Sequence, residues 1–573
     1  MKCRLVNKEI NQDYTRELLK ERGIKDVELY LNPTKECLQD PKYLSNIDEG
    51  ASLFLSKIGP GKTVFLVQDS DCDGLSSGGI AYQYIKDVAP ETEIKVFIHE
   101  GKQHGLEDCV ERILDEDKID LVIAPDSSSN DKIYADELGE AGIPVLVLDH
   151  HIVDNEISKN MIVVNNQISL EYINKELTGS GVTYQFCRYV DQLLGRTGVE
   201  KYIDLAALGI CGDMGSLLTM ENRYFMVEGF SHVNNYFLQC LIKKQSYSMN
   251  DTVNPTTVAF FIVPLINAMI RVGTMEEKER LFMAIVDGHT KVPSHKRGAK
   301  GEYEEVAVES VRECVNARTR QNKIKERAME SLEIKILNNN LLDNKILFIE
   351  LDDDDDIPSV LTGLVAMGLV TKYKKPTLIG RLNDEGFIRG SARGPNNTEL
   401  DSLKDFLGET GLFEYASGHD QAFGWSLPER SLEKFQTYSN KELSSIDFGE
   451  GVYDVNFERF SNDSDLKKLI EDLADNEDLW GQNNSQPLIH VKGLNLTQNE
   501  IQVIGSKKDT IKFEKGGIVY IKFHATDMIE DLKQYDTMNL EIVGHANINE
   551  WMGRRTPQIF IDNYEIKQDL FAF

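Results

Sequence analysis

Five short runs of almost unbroken apolar, mostly β-branched residues mark the first third of the chain: Val64-Phe-Leu-Val67, Ile94–Ile98, Leu121–Ala124, Val145–Leu148 and Met161–Val164. Runs this short with little polar alternation are what strands buried on both faces of a parallel sheet require. Helix-length segments such as Ser76–Asp87 and Lys132–Glu140 separate them, and the alternation predicts a doubly wound α/β domain. Beyond about residue 200 the pattern becomes helical, and 302–338, free of proline and glycine, predicts one extended helix joining two lobes. A smaller α/β pattern follows, with strands near Ile346–Leu351 and Thr377–Leu382. From about 485 short strands return at Ile501–Ile504, Ile518–Phe523, Leu540–Val543 and Gln558–Ile561, a spacing that suits a small OB-like β-barrel.

The 573 residues are too many for one hydrophobic core, and three or four domains are expected. The pattern divides them into a catalytic α/β domain over 1–300, a connecting helix over 301–340, a smaller α/β domain over 341–435, an acidic linker or insert over 436–484, and an OB-like domain over 485–573.

Charge complicates any expectation of a polyanionic ligand. The net charge of −31 predicts repulsion from nucleic acid, although the acids are unevenly spread: 441–480 holds twelve acidic and four basic residues, 485–573 twelve and ten. No run approaches the ~20 apolar residues of a membrane span, and Met1-Lys-Cys-Arg-Leu5 has no apolar signal core, so a cytoplasmic protein without membrane contact is expected. Eight cysteines at irregular spacing, with no C-x-x-C pair, fit reduced thiols and argue against a zinc site.

The informative feature is where acids and histidines stand. Val64–Val67 runs into Asp69-Ser-Asp71-Cys-Asp73-Gly74, Leu121–Ala124 into Pro125-Asp126, and Val145–Leu148 into Asp149-His150-His151, while Asp213 follows the apolar stretch Ile203–Cys211. Ligands of open α/β sheets bind beyond the carboxyl ends of the strands, so these groups are expected at one edge. Carboxylates crowded there raise one another's pKa unless a cation joins them. Oxygen ligands with an imidazole suit Mn²⁺ or Mg²⁺, and two such ions support in-line displacement at a phosphodiester. A calcium loop beginning at Asp69 is disfavoured, because Gly78-Gly79-Ile80 stands where its closing acid belongs.

The order Asp71-x-Asp73-Gly74, Asp126, Asp149-His150-His151, Asp213 resembles the motifs of the DHH phosphoesterases. Further segments resemble single-strand exonucleases of the RecJ type: Asp40-Pro41-Lys-Tyr-Leu44, Thr178-Gly-Ser-Gly-Val-Thr-Tyr184, Leu205–Gly209, Pro264–Ala268 with Arg271, Arg389-Gly-Ser-Ala-Arg393, Ser417–Gly424, and Gly544–Gly553 followed by Gln558–Ile561. The resemblance implies a metal-dependent exonuclease that degrades single-stranded DNA from its 5′ end to mononucleotides in repair and recombination, with RNA as an alternative strand. It implies two ions, Mn²⁺ or Mg²⁺, held by Asp71, Asp73, Asp126, His150 and Asp213, with Asp69 a further ligand and Asp126 bridging. Asp149 would ligate or orient His150, and His151 would meet the scissile phosphate. Asn267, Arg271, Ser391, Arg393 and His419 would bind phosphates, and Lys507, Lys508, Lys512, Trp551, Arg554 and Arg555 of the OB-like domain would hold the strand. A monomer is expected, with a single-strand-binding protein or helicase as candidate partner. A DHH enzyme for short RNA or cyclic dinucleotides, and a non-catalytic replication scaffold, are the competing readings.

This sequence departs from the family in four places, one of them Ala422-Phe423-Gly424 where the family has Ala-Ala-Gly. Ser417-Gly418-His419 replaces Gly-Gly-His. Six acids at Glu350 and Asp352–Asp356 occupy a normally glycine-rich turn and are expected to form a solvated loop. The arginine that precedes the family's Gly-Tyr-Gly turn has no counterpart near Gln103-His104-Gly105, where His99 or Lys102 would have to substitute.

Overall fold

The computed structural model describes residues 1–567 except Lys102, Arg297, Lys300, Asp353 and Met552, and except the side chain of Trp551. The chain forms two compact units: Ile24–Asn322 with Asp478–Ser485, and the remainder.

The first unit is built on strands β1 (Thr63–Gln68), β2 (Glu93–Ile98), β3 (Leu121–Pro125), β4 (Val145–Asp149) and β5 (Met161–Asn165). They are all parallel, in the order β2-β1-β3-β4-β5. The apolar runs have the expected cause. Val64, Leu66, Leu121, Ile123, Leu146, Leu148 and Val164 enter one core, while Phe65, Val67, Val122, Ala124, Val145, Val147, Met161 and Val163 enter a second on the opposite face. Successive side chains of a strand point to opposite faces, so two buried faces demand an unbroken run. In this strand order the chain leaves β1 toward one edge and returns to its other side at β3, which makes the β1/β3 gap the topological switch point where a crevice opens.

Helices complete the unit: α1 (Cys72–Val88), α2 (Gly179–Leu194), α3 (Ile203–Gly212) and α4 (Val263–Val272). One expectation needs correcting here. Pro255–Val272 is long and apolar enough, by length and composition, to cross a membrane. It is folded as two helices, Pro255–Phe261 and α4, which meet at Ile262, and half of the segment is buried.

Helix α5 (Val306–Asn338) leaves the first unit at Asn322 and enters the second at Lys323. The second unit holds a five-stranded mixed sheet of β6 (Leu347–Leu351), β7 (Thr377–Leu382), β8 (Phe387–Arg393), β9 (Tyr415–His419) and β10 (Ala422–Pro428), in the order β9-β10-β8-β7-β6, with α6 (Thr362–Tyr373) packed on it. Trp425, fully buried, is the hub of its core, with its ring against Phe348 and Phe413. A seven-stranded sheet follows, made of β11 (Phe457–Phe460), β12 (Leu488–Thr497), β13 (Gln502–Ile504), β14 (Thr510–Lys515), β15 (Ile518–Lys522), β16 (Thr537–Trp551) and β17 (Arg554–Lys567).

Within the acidic stretch, Leu466–Asp475 is a helix that packs on β16 and β17. It buries Leu466, Leu469, Ile470 and Leu473, one face of a helix at i, i+3, i+4 and i+7, while Asp472 accepts from the Thr15 N–H and Asp475 is ion-paired with Arg555. The acidic loop is braced from inside: Lys335 Nζ binds the Glu350 carbonyl and the carboxylates of Asp352 and Asp355, and Arg381 holds the carbonyls of Asp352, Asp355 and Ile357. All eight cysteines are free thiols.

Because Trp425 fills the centre of its core, Trp425→Ala is expected to lower the stability of the second unit by about 3–5 kcal/mol, and Trp425→Phe by less. Urea unfolding followed by circular dichroism checks both.

Candidate metal centre

The three acids after β1 are held by three different devices. Asp69, 1% exposed, faces the ring of His104, whose Nδ1 lies 2.8 and 2.7 Å from its two oxygens. Asp71 caps α1: its Oδ1 accepts from the backbone N–H groups of Asp73 and Gly74 at 2.8 and 2.9 Å, as an N-cap carboxylate does. Asp73, in the first turn of α1, accepts through Oδ1 from Thr178 Oγ1 and the Ser180 N–H at the start of α2. Its Oδ2 is buried and meets no donor among the described residues.

Asp126 leaves β3 in the left-handed region, at φ 67°, with its N–H bonded to the Leu148 carbonyl of the neighbouring strand. A β-carbon on Gly179 would stand 2.2 Å from Asp126 Oδ1, so only glycine lets α2 start this close. Asp126 Oδ1 is buried without a hydrogen-bond donor among the described residues, although His150 Nε2 lies 3.2 Å away. Asp213, at the C-cap of α3, brings Oδ2 to 3.7 Å from the same Nε2. Ligand atoms of Asp69, Asp71 and Asp126 lie within 4.8 Å of one another, as do those of Asp73, His150 and Asp213. Buried acceptors that converge without donors lack a shared cation, and this donor set of oxygens and one imidazole fits Mn²⁺ or Mg²⁺.

The electrostatics agree. Burial, then the charges of Asp73 and Asp71, push the Asp126 carboxyl far above its ordinary range, and the same causes push Asp213 up to about 8. Burial and the neighbouring His151 lower the His150 pKa, which favours a neutral ring. Burial acts against charge on Asp149 and His151 too, but their mutual bond overrides it, holding the Asp149 carboxyl below its range and raising His151 to about 9.

Contrary to the expectation that Asp149 orients the His150 ring, Asp149 meets His150 only at its backbone N–H. Its Oδ1 accepts from His151 Nδ1 at 2.8 Å and from the backbone N–H groups of His150 and His151, and its Oδ2 accepts from the Ser129 N–H. With both oxygens occupied, its partner ring is that of His151.

Asn267 and Arg271 stand one turn apart on α4, and the Arg271 guanidinium, depressed by burial, feels the opposing charge of Asp71 and the reinforcing charge of Arg318. In the second unit Ser391, Arg393 and His419 come to one end of a sheet, since Arg393 on β8 and His419 on β9 both pair with Ala422 of β10. The Ser391 hydroxyl lies 2.9 Å from that of Thr362 at the start of α6.

The residues of the seven-stranded sheet are less concentrated. Lys507 and Lys508 occupy the turn between β13 and β14, Lys512 lies in β14, Arg554 is exposed, and Arg555 is ion-paired with Asp475. The Trp551 side chain lies outside the described residues, as does Lys102. His99 is buried and so is not offered to a ligand. Thr178 was singled out within a family-like segment but not as a partner of Asp73, and no role was read for His104 or Arg318. His104 partners an acid 35 positions away, which no local pattern signals.

Residues 63–210 match the model of the DHH family, N-terminal domain, and residues 462–563 match that of the RecJ OB domain. YorK of Bacillus subtilis, a prophage-derived protein named as a candidate single-strand DNA-specific exonuclease, is 34% identical over 99% of this chain and 98% of its own length. The single-stranded-DNA-specific exonuclease RecJ of the same organism is 24% identical over 96% of this chain and 68% of its own. The crystal structure of RecJ from Thermus thermophilus in complex with Mn²⁺ superposes with a TM-score of 0.73 at 19% identity, covering 99% of this chain and 80% of that one, a likeness of fold.

Two measurements test the centre without reference to turnover. Mn²⁺ is expected to raise the melting temperature of the protein, since binding to the folded state alone stabilises it by mass action. Asp126→Asn is expected to raise the metal-free melting temperature, on the order of 1–2 kcal/mol of relieved repulsion, and to blunt the Mn²⁺ response. Differential scanning fluorimetry with and without chelator reads both.

Proposed function

The chain belongs to the RecJ family of DHH proteins, and on that premise we propose that it is a metal-dependent exonuclease which hydrolyses single-stranded DNA from its 5′ end to mononucleotides, in repair or recombination. The observation that carries the reading is the pair of buried carboxylate oxygens without donors among the described residues, Asp73 Oδ2 and Asp126 Oδ1, gathered with His150 and Asp213 at the switch point of the sheet. In this reading two divalent ions would occupy the centre: Asp69 and Asp71 would hold one, Asp73, His150 and Asp213 the other, with Asp126 available to both. The ions, when bound, supply the Lewis acidity that activates water and offsets charge on the phosphate.

The chain's own groups do the rest. His150 stays neutral and offers Nε2 inward, because burial and its charged neighbour oppose a second proton. His151, turned by Asp149 and kept protonated by it, donates to a non-bridging oxygen of the scissile phosphate, where its charge is worth most as negative charge develops. Arg271 supplies a two-pronged donor beside Asp71 and Asn267 a neutral one, and together they orient the phosphate. Ser391, Arg393 and His419 form a second phosphate site on the sheet of the other unit. The seven-stranded sheet adds affinity for the strand through stacking and a few cations.

Asp126→Ala and His150→Ala are each expected to cut Mn²⁺-dependent digestion of single-stranded DNA by at least about 10³-fold with the circular dichroism spectrum unchanged. Full activity in either would refute the ligand assignment. Asp149→Asn is expected to lower kcat by about 10²-fold, since it releases His151 while leaving the proposed ligands in place. End-labelled single strands of DNA and RNA, with and without a 5′ phosphate, tested against duplex DNA in Mn²⁺ or Mg²⁺, decide substrate and polarity. Digestion from the 3′ end, or of duplex in preference, would overturn the proposal.

A further inference from the structure

His104 lies in the loop after β2, the strand beside β1, and it is the one hydrogen-bond donor to the Asp69 side chain among the described residues. The loop is built to put it there. At its start the buried Lys278 binds the carbonyls of His99 and Glu100, which fixes where the chain leaves β2. At its end the Leu106 N–H donates to Asp131 Oδ2 at 2.8 Å, and the fully buried Leu106 side chain enters the core on one face of the sheet. Between them Gly105 takes φ 75°, and a β-carbon there would stand 2.2 Å from Asp131 Oδ2, so the turn that presents His104 requires glycine. The His104 side chain is 49% exposed, but the loop that carries it is fixed at both ends and the carboxylate it meets is 1% exposed, so its ring closes over a buried acid.

Asp69 needs such a partner. Asp71 is oriented by two N–H groups of α1 and Asp73 by two donors at the start of α2. Asp69 has no helix terminus of its own, and its ligand atoms lie within 4.8 Å of those of two further acids, Asp71 and Asp126. Repulsion would turn an unheld carboxylate away from that group.

We propose that His104 is a positioning residue of the centre: its Nδ1–H, 2.8 and 2.7 Å from the two oxygens of Asp69, fixes that carboxylate in the orientation in which it would meet the cation shared with Asp71 and Asp126. This rests on the two-ion reading above and assigns to one imidazole the task that helix termini perform for Asp71 and Asp73. Donors to ligating carboxylates tune affinity as the ligands do, and their loss typically costs about 10–100-fold in metal binding.

Mn²⁺ binding to the full chain without DNA, followed by electron paramagnetic resonance of the free ion, tests it. Wild type is expected to take up two ions. His104→Ala is expected to bind one of them about 10–100-fold more weakly and the other as before, while His104→Gln, which keeps a donor at that reach, recovers most of the loss. Equal or tighter binding of both ions by His104→Ala would overturn the inference, as would a His104→Gln variant as weak as His104→Ala. Metal-free melting curves of the three proteins guard against a fold defect, and His104→Gln carries the test if His104→Ala fails to fold. A wild type that binds no Mn²⁺ would instead strike down the two-ion reading itself.

Discussion

Five carboxylates from three separate chain segments crowd one edge of a sheet, and most of the first unit is organised around their mutual repulsion. Each acid is held by a different local device: an N-cap for Asp71, a helix start for Asp73, a left-handed backbone for Asp126, a helix end for Asp213 and an imidazole for Asp69. The φ of 67° at Asp126 alone costs on the order of 1 kcal/mol or more, and burial of unpaired charge costs further. Such strain persists only where the surroundings over-determine it. Here they are two apolar cores on opposite faces of one sheet, and the N–H of Asp126 is itself tied to the adjacent strand.

The same residue types elsewhere in the unit behave differently, which shows that composition does not define the centre. His295, Glu309 and Glu313 also bring ligand atoms together, and Glu309 is fully buried. There, however, Arg312 pairs with Glu309 and Glu304, and Arg280 makes a forked contact with Glu313. The cluster supplies its own counterions. At the strand tips Arg271 feels the charge of Asp71 but makes no close ion pair with the acids among the described residues, so charge there is left for a ligand to balance.

How much of this could be read from the sequence follows from how local each interaction is. The parallel sheet was legible because burial on two faces imposes a run of apolar residues, and the site was legible because acids directly follow those runs. The order Asp149-His150-His151 suggested which residues meet but not which ring Asp149 turns, since one peptide step decides whether His150 or His151 swings toward it. His104 was invisible because its partner follows a neighbouring strand. The helix Leu466–Asp475 was legible only as one of two options for the acidic stretch, a linker or a helical insert, because acids interspersed among its four buried apolar residues obscure their stripe. The long strands β16 and β17 were underestimated for a related reason, because only their buried middle portions, such as Leu540–Val543, carry an apolar signal.

The net charge of −31 can now be placed, and it bears on how a polyanionic strand would be held. Part of the acid excess is committed internally. Asp478 pairs with the buried Arg223, Asp465 with the buried Arg459, and Asp352 and Asp355 with Lys335. What remains is still strongly acidic, so general electrostatic attraction cannot carry the binding of a strand. Affinity in the proposed reading must come from a few concentrated sources: the divalent ions, His151 and Arg271 in the first unit, the Ser391–Arg393–His419 row in the second, and apolar stacking. A protein of this charge therefore gains selectivity from its acidity, because a polyanion that cannot reach the metal centre finds little else to hold it.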